Sequence, residues 1–433
     1  MFDLRPVGYL LGLFVAALGA AMLIPAVLGL VNADGSAEAF FVSAFFAAAI
    51  GCITALGAGG VGDKRLNIQQ IFLMTTLVWL VLPIFGALPF YIGAPQAQFV
   101  DAFFEAMSGL TTTGSTVFSE LEDMPRATLL WRAMLQWFGG VGIVVVAMAL
   151  LPALRVGGMQ IFRSESFDTM GKVLPRAAEI SVSISSIYLG LTGACIIGYS
   201  FAGMSFFDAI THALTTVATG GFANYDASFG AMEGAPEYVS IVFMILASLP
   251  FVRYVQLVGG TATPLLHDTQ IRTFLGMIVT IVLVMALYRI ARNGDVAEPA
   301  IRQTLFNVTS IITGTGYASD DYQLWGPFPV TAFFLIGLIG GCAGSTCCSI
   351  KVFRYQLLFA GLIASVAGRK LGASVGLSAP LIAIATLCYL PDGFSIMGSL
   401  AGYEIQPLRL DRLSFIFALI FLIASFLGQL FAL

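Results

Sequence analysis

Residues 109–116 read GLTTTGST: four threonines, a serine and two glycines in eight positions. They sit in a 433-residue chain that is 58% hydrophobic and 10% charged, with a mean hydropathy of +0.93. A segment so rich in hydroxyls and backbone is costly at membrane depth unless it lines a cavity or pore. Its meaning depends on whether it recurs, and it does. FEAMSGLTTTG ends at Gly114, ITHALTTVATG at Gly220 and FNVTSIITGTG at Gly316. Each closes on Thr-Gly (Thr113–Gly114, Thr219–Gly220, Thr315–Gly316), at spacings of 106 and 96 residues. Each lies between two long apolar stretches, so the pattern is an internal repeat of helix, short re-entrant helix, Thr-Gly loop and helix.

The chemistry of such a loop follows from its backbone. A filter for a monovalent cation needs carbonyl oxygens that replace the hydration shell. Turning those carbonyls inward takes backbone angles that glycine tolerates, and threonine adds a hydroxyl oxygen. The short helix before each loop aims its partially negative C-terminal end at the cavity, which favours a cation. The candidate ion-binding residues are therefore Thr112, Thr113, Gly114 and Ser115, then Ala218, Thr219, Gly220 and Gly221, then Gly314, Thr315, Gly316 and Tyr317. Small residues that merely let helices pack closely are the competing explanation. It accounts for one such run more readily than for three in register.

Around these loops the composition predicts an all-α integral membrane protein of about ten transmembrane helices, built from helix–pore loop–helix units. Apolar stretches long enough to span fall at 7–31, 38–59, 69–92, 128–153, 180–202, 236–258, 270–291, 328–362, 372–391 and 411–432. The longest polar connection, 154–179, is too short to carry a core of its own. Six cysteines lack metal-ligand spacing, and His212 and His267 stand alone. With no nucleotide loop or nucleophile–base pair either, nothing points to an enzyme. Placing the Thr-Gly loops outside puts both termini in the cytoplasm, with 13 of the 20 Lys and Arg on the inner side, as the positive-inside bias requires. Of the 24 acids, 18 then fall outside, among them Glu120, Asp226, Glu237 and Asp320. They suggest an outer vestibule that concentrates cations.

These residues resemble the Trk/Ktr/HKT superfamily of potassium transporters, over about 5–360. The likeness is carried by FGALPFYIG at 85–93, GLTTTGST at 109–116, the long stretch from LLWRAMLQWFGGVG at 129–166, TTVATGGF at 215–222, TGTGYAS at 313–319 and IGGCAGSTCCSIKVFR at 339–354. It is greatest for the Trk branch, which carries two extra helices before its first repeat. The resemblance implies a bacterial cytoplasmic (inner) membrane location, no covalent cofactor, and potassium as the metal, held only at the filter. It also implies four repeats around one pathway, a homodimer, and gating by a cytoplasmic ring of nucleotide-binding subunits. The expected units are two extra helices at 1–62, repeats at 63–155, 156–265 and 266–365, and a two-helix tail at 366–433. Gly340, Gly341, Cys342, Ala343, Gly344, Ser345, Thr346, Cys347, Cys348 and Ser349 match the intramembrane loop that acts as gate in the family, and the basic residues Lys351 and Arg354 follow it.

Two features depart from the family pattern. The gate loop reads Ser345-Thr346-Cys347-Cys348-Ser349, where the family has small, flexible residues. The segment 392–410 has no fourth Thr-Gly run. Instead, the tail GYEIQPLRLDRLSFIFALIFLIASFLG at 402–428 resembles the opening of antiporter-like subunits of Mrp antiporters and respiratory complex I. That implies a partner: an antiporter-like membrane subunit, or the remainder of a fusion. Membrane lipid is the other expected neighbour, and no nucleic acid is implied. Two readings remain open: a potassium-conducting subunit of a larger complex, and a non-conducting scaffold derived from one.

Overall fold

The structure, a computed structural model, describes residues 3–59, 66–149 and 177–368, with short pieces beyond at 380–381, 383–385, 395–400, 403–409, 419–420, 422–424 and 426–427. The expected connection 154–179 and spans 372–391 and 411–432 lie mostly outside these residues, as do Lys64, Arg65, Arg155, Arg163, Lys172, Arg176, Arg369 and Lys370. The chain forms two compact units, Met1–Val352 and Phe353–Leu433.

The first unit opens with α1 (Arg5–Ala21), α2 (Leu23–Asn32) and α3 (Ala37–Gly57). Helices α1 and α3 meet through small residues: a Cβ on Gly12 would lie 2.6 Å from Ala55 N and from Gly51 O. In a bilayer, where lipid is as apolar as leucine, such close backbone approach is what holds helices together. Then come α4 (Ile68–Gly86), α5 (Leu88–Ile92), α6 (Phe99–Leu110) and α7 (Arg126–Ala149). The second set is α8 (Ala177–Phe201), α9 (Phe206–Val217), α10 (Ala235–Ala247) and α11 (Phe251–Val258). After the short α12 (Thr263–His267), the third set comprises α13 (Thr269–Tyr288), α14 (Ala297–Thr313) and α15 (Pro327–Ile336).

Among the described residues, five helical stretches are long and apolar enough to cross a membrane: Arg5–Asn32, Ala37–Gly57, Gln69–Ile92, Ser181–Phe201 and Thr269–Arg292. Helices α6 and α9 have 12 residues each, about 18 Å of rise, too short for a core of about 30 Å. They are re-entrant. The stretch 236–258, read from the sequence as one span, is instead α10 and α11 bent by 89°. Pro250, immediately before α11, has no N–H to continue the ladder and its ring crowds the preceding turn. One apolar core gathers α8–α11 and α13–α15 around Phe229, Phe251 and Phe274, and a second gathers α1–α7 around Phe40, Phe90 and Trp131.

The second unit contains most of α16 (Val352–Gly368) and an antiparallel hairpin, β1 (Ser395–Leu400) and β2 (Tyr403–Arg409), with Ser395 opposite Arg409 and Leu400 opposite Tyr403. The hairpin occupies the stretch in which no fourth Thr-Gly run is found. Apart from it and a single parallel bridge between Ile339 and Ile350, the described secondary structure is helical, as a membrane protein with pore loops requires.

Candidate functional site

Each re-entrant helix ends in a loop that turns back onto it in the same way. Thr113 N–H donates to Ser108 O, Gly220 N–H to Thr215 O and Thr315 N–H to Ser310 O, all at 2.9 Å. Each loop also has two left-handed residues two positions apart: Thr112 and Gly114 (φ 53° and 79°), Thr219 and Gly221 (50° and 82°), Gly314 and Gly316 (73° and 86°). The structural equivalents are thus Gly114, Gly221 and Gly316. The sequence alignment on Gly220 is one residue out of step in the second repeat. Left-handed angles are where glycine is favoured and a side chain is strained.

A second repeated contact fixes the same register. Val117 N–H donates to Glu105 Oε2 at 3.0 Å, Asn224 N–H to His212 Nε2 at 3.5 Å, and Ser319 N–H to Asn307 Oδ1 at 3.3 Å. In each case a buried side chain on the re-entrant helix receives the backbone twelve residues onward. His212 plays its part as a neutral ring, because Nδ1 donates to the Asp208 carbonyl at 2.9 Å and leaves Nε2 as acceptor. Glu105, being charged and buried, needs a counter-ion. Arg132 of α7 donates Nε to it at 2.8 Å, Nη1 to Ala223 O at 2.9 Å and Nη2 to Thr116 Oγ1 at 3.2 Å. Its guanidinium lies 4.3 Å from the centre of the Phe222 ring. Sequence reading missed this acceptor position, because its three residues share a role and not a side chain.

The loops converge. A Cβ on Gly114 would run into Gly220 O, and one on Gly221 would run into Thr315 O. The glycine of one loop therefore faces the carbonyl of the next, twice in the same geometry. On Gly316 a Cβ meets no described atom within 4 Å. In the first and third loops two threonine hydroxyls pair, Thr111 with Thr113 and Thr313 with Thr315, each at 2.8 Å. Behind the second loop, Tyr317 is buried and its OH lies 2.5 Å from Thr215 Oγ1. Ser115 stands at the corresponding place after Gly114. The result is a small backbone cage in which the first and second loops, and the second and third, meet glycine to carbonyl.

Several acids expected to charge an outer vestibule are engaged otherwise. Glu237 is fully buried, paired with Arg302, and accepts from Gly234 N–H at 2.8 Å. Asp226 accepts from the N–H groups of Glu120 at 2.8 Å and Leu121 at 3.2 Å, tying two loops together. Asp320 accepts from Trp325 Nε1 at 2.7 Å. These carboxylates hold the structure around the loops.

Residues 337–351 are non-helical and lie between α15 and α16, with Gly340 to Ser349 inside them. The segment is stitched into the bend between α10 and α11. Cys342 N–H donates to Ser248 O at 3.0 Å, Thr346 Oγ1 to Ala247 O at 3.1 Å and Cys347 Sγ to Ser248 Oγ at 2.7 Å. Phe251 N–H donates back to Gly344 O at 2.9 Å. Ala343 N–H reaches Gln270 Oε1 at 3.1 Å, and Ser345 Oγ reaches Cys342 O at 2.7 Å. Gly341 is confined, since a Cβ there would lie 2.8 Å from Cys347 Sγ. Cys348 abuts the third loop: a Cβ on Gly314 would lie 3.2 Å from its Cβ. Gly340 N–H donates to Ile350 O at 2.9 Å and Ser349 Oγ to Gly337 O at 2.9 Å. Lys351 Nζ donates to Cys347 O, while Arg354 sits 5.8 Å from the Phe353 ring.

A sequence profile of the TrkH family, described as cation transport protein, matches residues 41–429 and so extends through the hairpin. The chain is 39% identical over 354 residues to the Trk system potassium uptake protein TrkI of Halomonas elongata, across 81% of this chain and 72% of that one. It is 38% identical over 362 residues to the Trk system potassium uptake protein TrkH of Escherichia coli K12, across 82% and 74%. The crystal structure of the potassium transporter TrkH from Vibrio parahaemolyticus matches with a TM-score of 0.77 at 30% identity, covering 99% of this chain and 97% of that one.

Proposed function

Because the chain belongs to the TrkH family of cation transport proteins, we propose that it carries potassium across a bacterial cytoplasmic membrane, along one pathway lined by its three Thr/Gly loops. The relatives above are named for potassium uptake. The observation that carries the reading is the twofold recurrence of a loop glycine against the carbonyl of the next loop, Gly114 on Gly220 and Gly221 on Thr315. Such a cage offers oxygens at close quarters in place of water. In this reading, repeats 63–155, 156–265 and 266–365 follow the extra helices 1–62, and both termini face the cytoplasm.

Residues 340–349 act as the gate, held shut by the bend at 248–250. A non-helical segment is tolerable at membrane depth where it borders protein or a water-filled cavity, and this one abuts Gly314 of the third loop. A cytoplasmic nucleotide-binding subunit and a second copy of the chain are the proposed regulatory and oligomeric partners.

The test is potassium uptake by purified protein in liposomes and by a potassium-uptake-deficient host. Gly→Ser at Gly114, Gly221 and Gly316 in turn should remove most of the flux or its preference for potassium over sodium. Unchanged flux and preference in all three would sink the proposal. A second reading, carried by the sequence at 402–428, couples the pathway to an antiporter-like membrane subunit through the tail 366–433. Purification from the native membrane in mild detergent decides it. A conducting homodimer with no other membrane subunit excludes that partner, and a co-purified antiporter-like subunit around a non-conducting chain favours the scaffold reading.

A further inference from the structure

The second loop is held differently from the other two. We propose that Gln136 is a specificity-setting positioning residue: its buried amide supplies to the second loop, from outside, what a pair of threonine hydroxyls supplies within the first and third. This rests on the potassium reading above. In the common register, Thr111 and Thr113 correspond to Ala218 and Gly220 and to Thr313 and Thr315. The hydroxyl pairs of the outer two loops close at 2.8 Å. Ala218 and Gly220 have no hydroxyl to offer.

The vacated space is filled by Gln136, fully buried on α7 and one turn beyond Arg132. Its Nε2 donates to Gly220 O at 2.7 Å and its Oε1 accepts from Phe222 N–H at 3.0 Å. Both ends of the amide are thus satisfied by the same loop. The backbone angles do not require glycine at position 220, since its φ lies outside the left-handed region. Glycine is required there because a Cβ would overlap the Gln136 amide.

Two consequences bear on the ion. Gly220 O faces Gly114 of the first loop, and one of its two lone pairs is taken by the amide. It is therefore a weaker cation ligand than its counterparts at Thr113 and Thr315. The amide also spans residues 220 to 222, so it fixes the loop's distance from its neighbours. Ligand field strength and cage size are the two quantities on which discrimination between potassium and sodium turns.

The experiment compares wild type, Q136L, Q136E, G220T and the triple variant Q136A/A218T/G220T in liposomes, reading potassium and sodium flux and the melting temperature in detergent. Q136E keeps the size and the acceptor for Phe222 but loses the donor to Gly220. Q136L and Q136E should each lower the potassium-to-sodium ratio roughly fivefold, the factor of one net hydrogen bond. G220T should lose about tenfold or more of its flux by overpacking, and the triple variant, with the hydroxyl pair restored, should regain flux and ratio. A wild-type ratio in both Gln136 variants, even with lowered melting temperatures, overturns the inference. So does a G220T as active as wild type, or a triple variant no better than G220T. If wild type itself carries no potassium, the transport reading falls. Gln136 and Gly220 are then judged by the melting temperatures of Q136A, G220T and the double variant Q136A/G220T, where a double shift equal to the sum of the single shifts overturns their coupling.

Discussion

Glu105, His212 and Asn307 hold one structural position in turn, as carboxylate, imidazole and amide, and each accepts a backbone N–H twelve residues away. What the position demands is a lone pair. His212→Asn, which copies the third repeat, should therefore fold and transport. His212→Leu strands the Asn224 N–H in a buried place and should cost about 1–3 kcal/mol, measured by thermal unfolding in detergent. Arg132→Ala should be harsher, about 3–5 kcal/mol, because it abandons a buried carboxylate; adding Glu105→Gln should recover a large part. The Thr-Gly runs were legible in the sequence because few residue types tolerate those backbone angles. The register of the second run was not, since Gly220 and Gly221 offer two choices and only one keeps the hydrogen bonds in step. A signal was present: Asp101–Ala102 and Asp208–Ala209 recur at 107 residues, the spacing of Glu105 and His212.

The bend between α10 and α11 frees the carbonyls of Ala247 and Ser248 from their own helix, and the 337–351 segment takes them up. One irregularity satisfies the other, which is how two broken helices can coexist in a bilayer. Thr346→Val removes the 3.1 Å bond to Ala247 O. It should weaken the attachment by about 0.5–1.5 kcal/mol and raise resting potassium flux two- to tenfold, roughly, in liposomes without any added subunit. Pro250→Ala permits α10 to continue and reclaim both carbonyls, so its resting flux should rise at least as far. The looping of 340–349 could be read from its glycines and hydroxyls. Its partner could not, because Pro250 leaves the hydropathy of the apolar run 236–258 intact while breaking its geometry. Between α1 and α3 the same close fit acts in reverse. Gly12→Leu has no room against Ala55 N and Gly51 O and should lower the yield of folded protein in membranes.

In the proposed reading, the three loops gain stability from a bound cation. Melting temperature in detergent should therefore rise with potassium and less with sodium, by the mass-action relation that gives about 2.7 kcal/mol at a ligand concentration of 100 Kd; equal shifts with choline would speak against the cage. Helical membrane architecture and three re-entrant units were legible because hydropathy and repetition act over long stretches. The hairpin at 395–409 was not, since short strands beside apolar helices leave little periodic signal. Nor was the structural use of Glu237 and Asp226, because sequence counts charges without showing which are already paired. The three loops share a backbone and differ in what supports it: Arg132 ties the first to the second, Gln136 braces the second from one side and Tyr317 backs it from another, and hydroxyl pairs close the first and third. In a pore assembled from identical chains, one codon change alters every wall at once. Here each wall has its own codons, so inheritance can retune one side of the passage while the others stay as they were, and the exchange of a hydroxyl pair for a glutamine opposite a glycine is the kind of step that only such a chain can take.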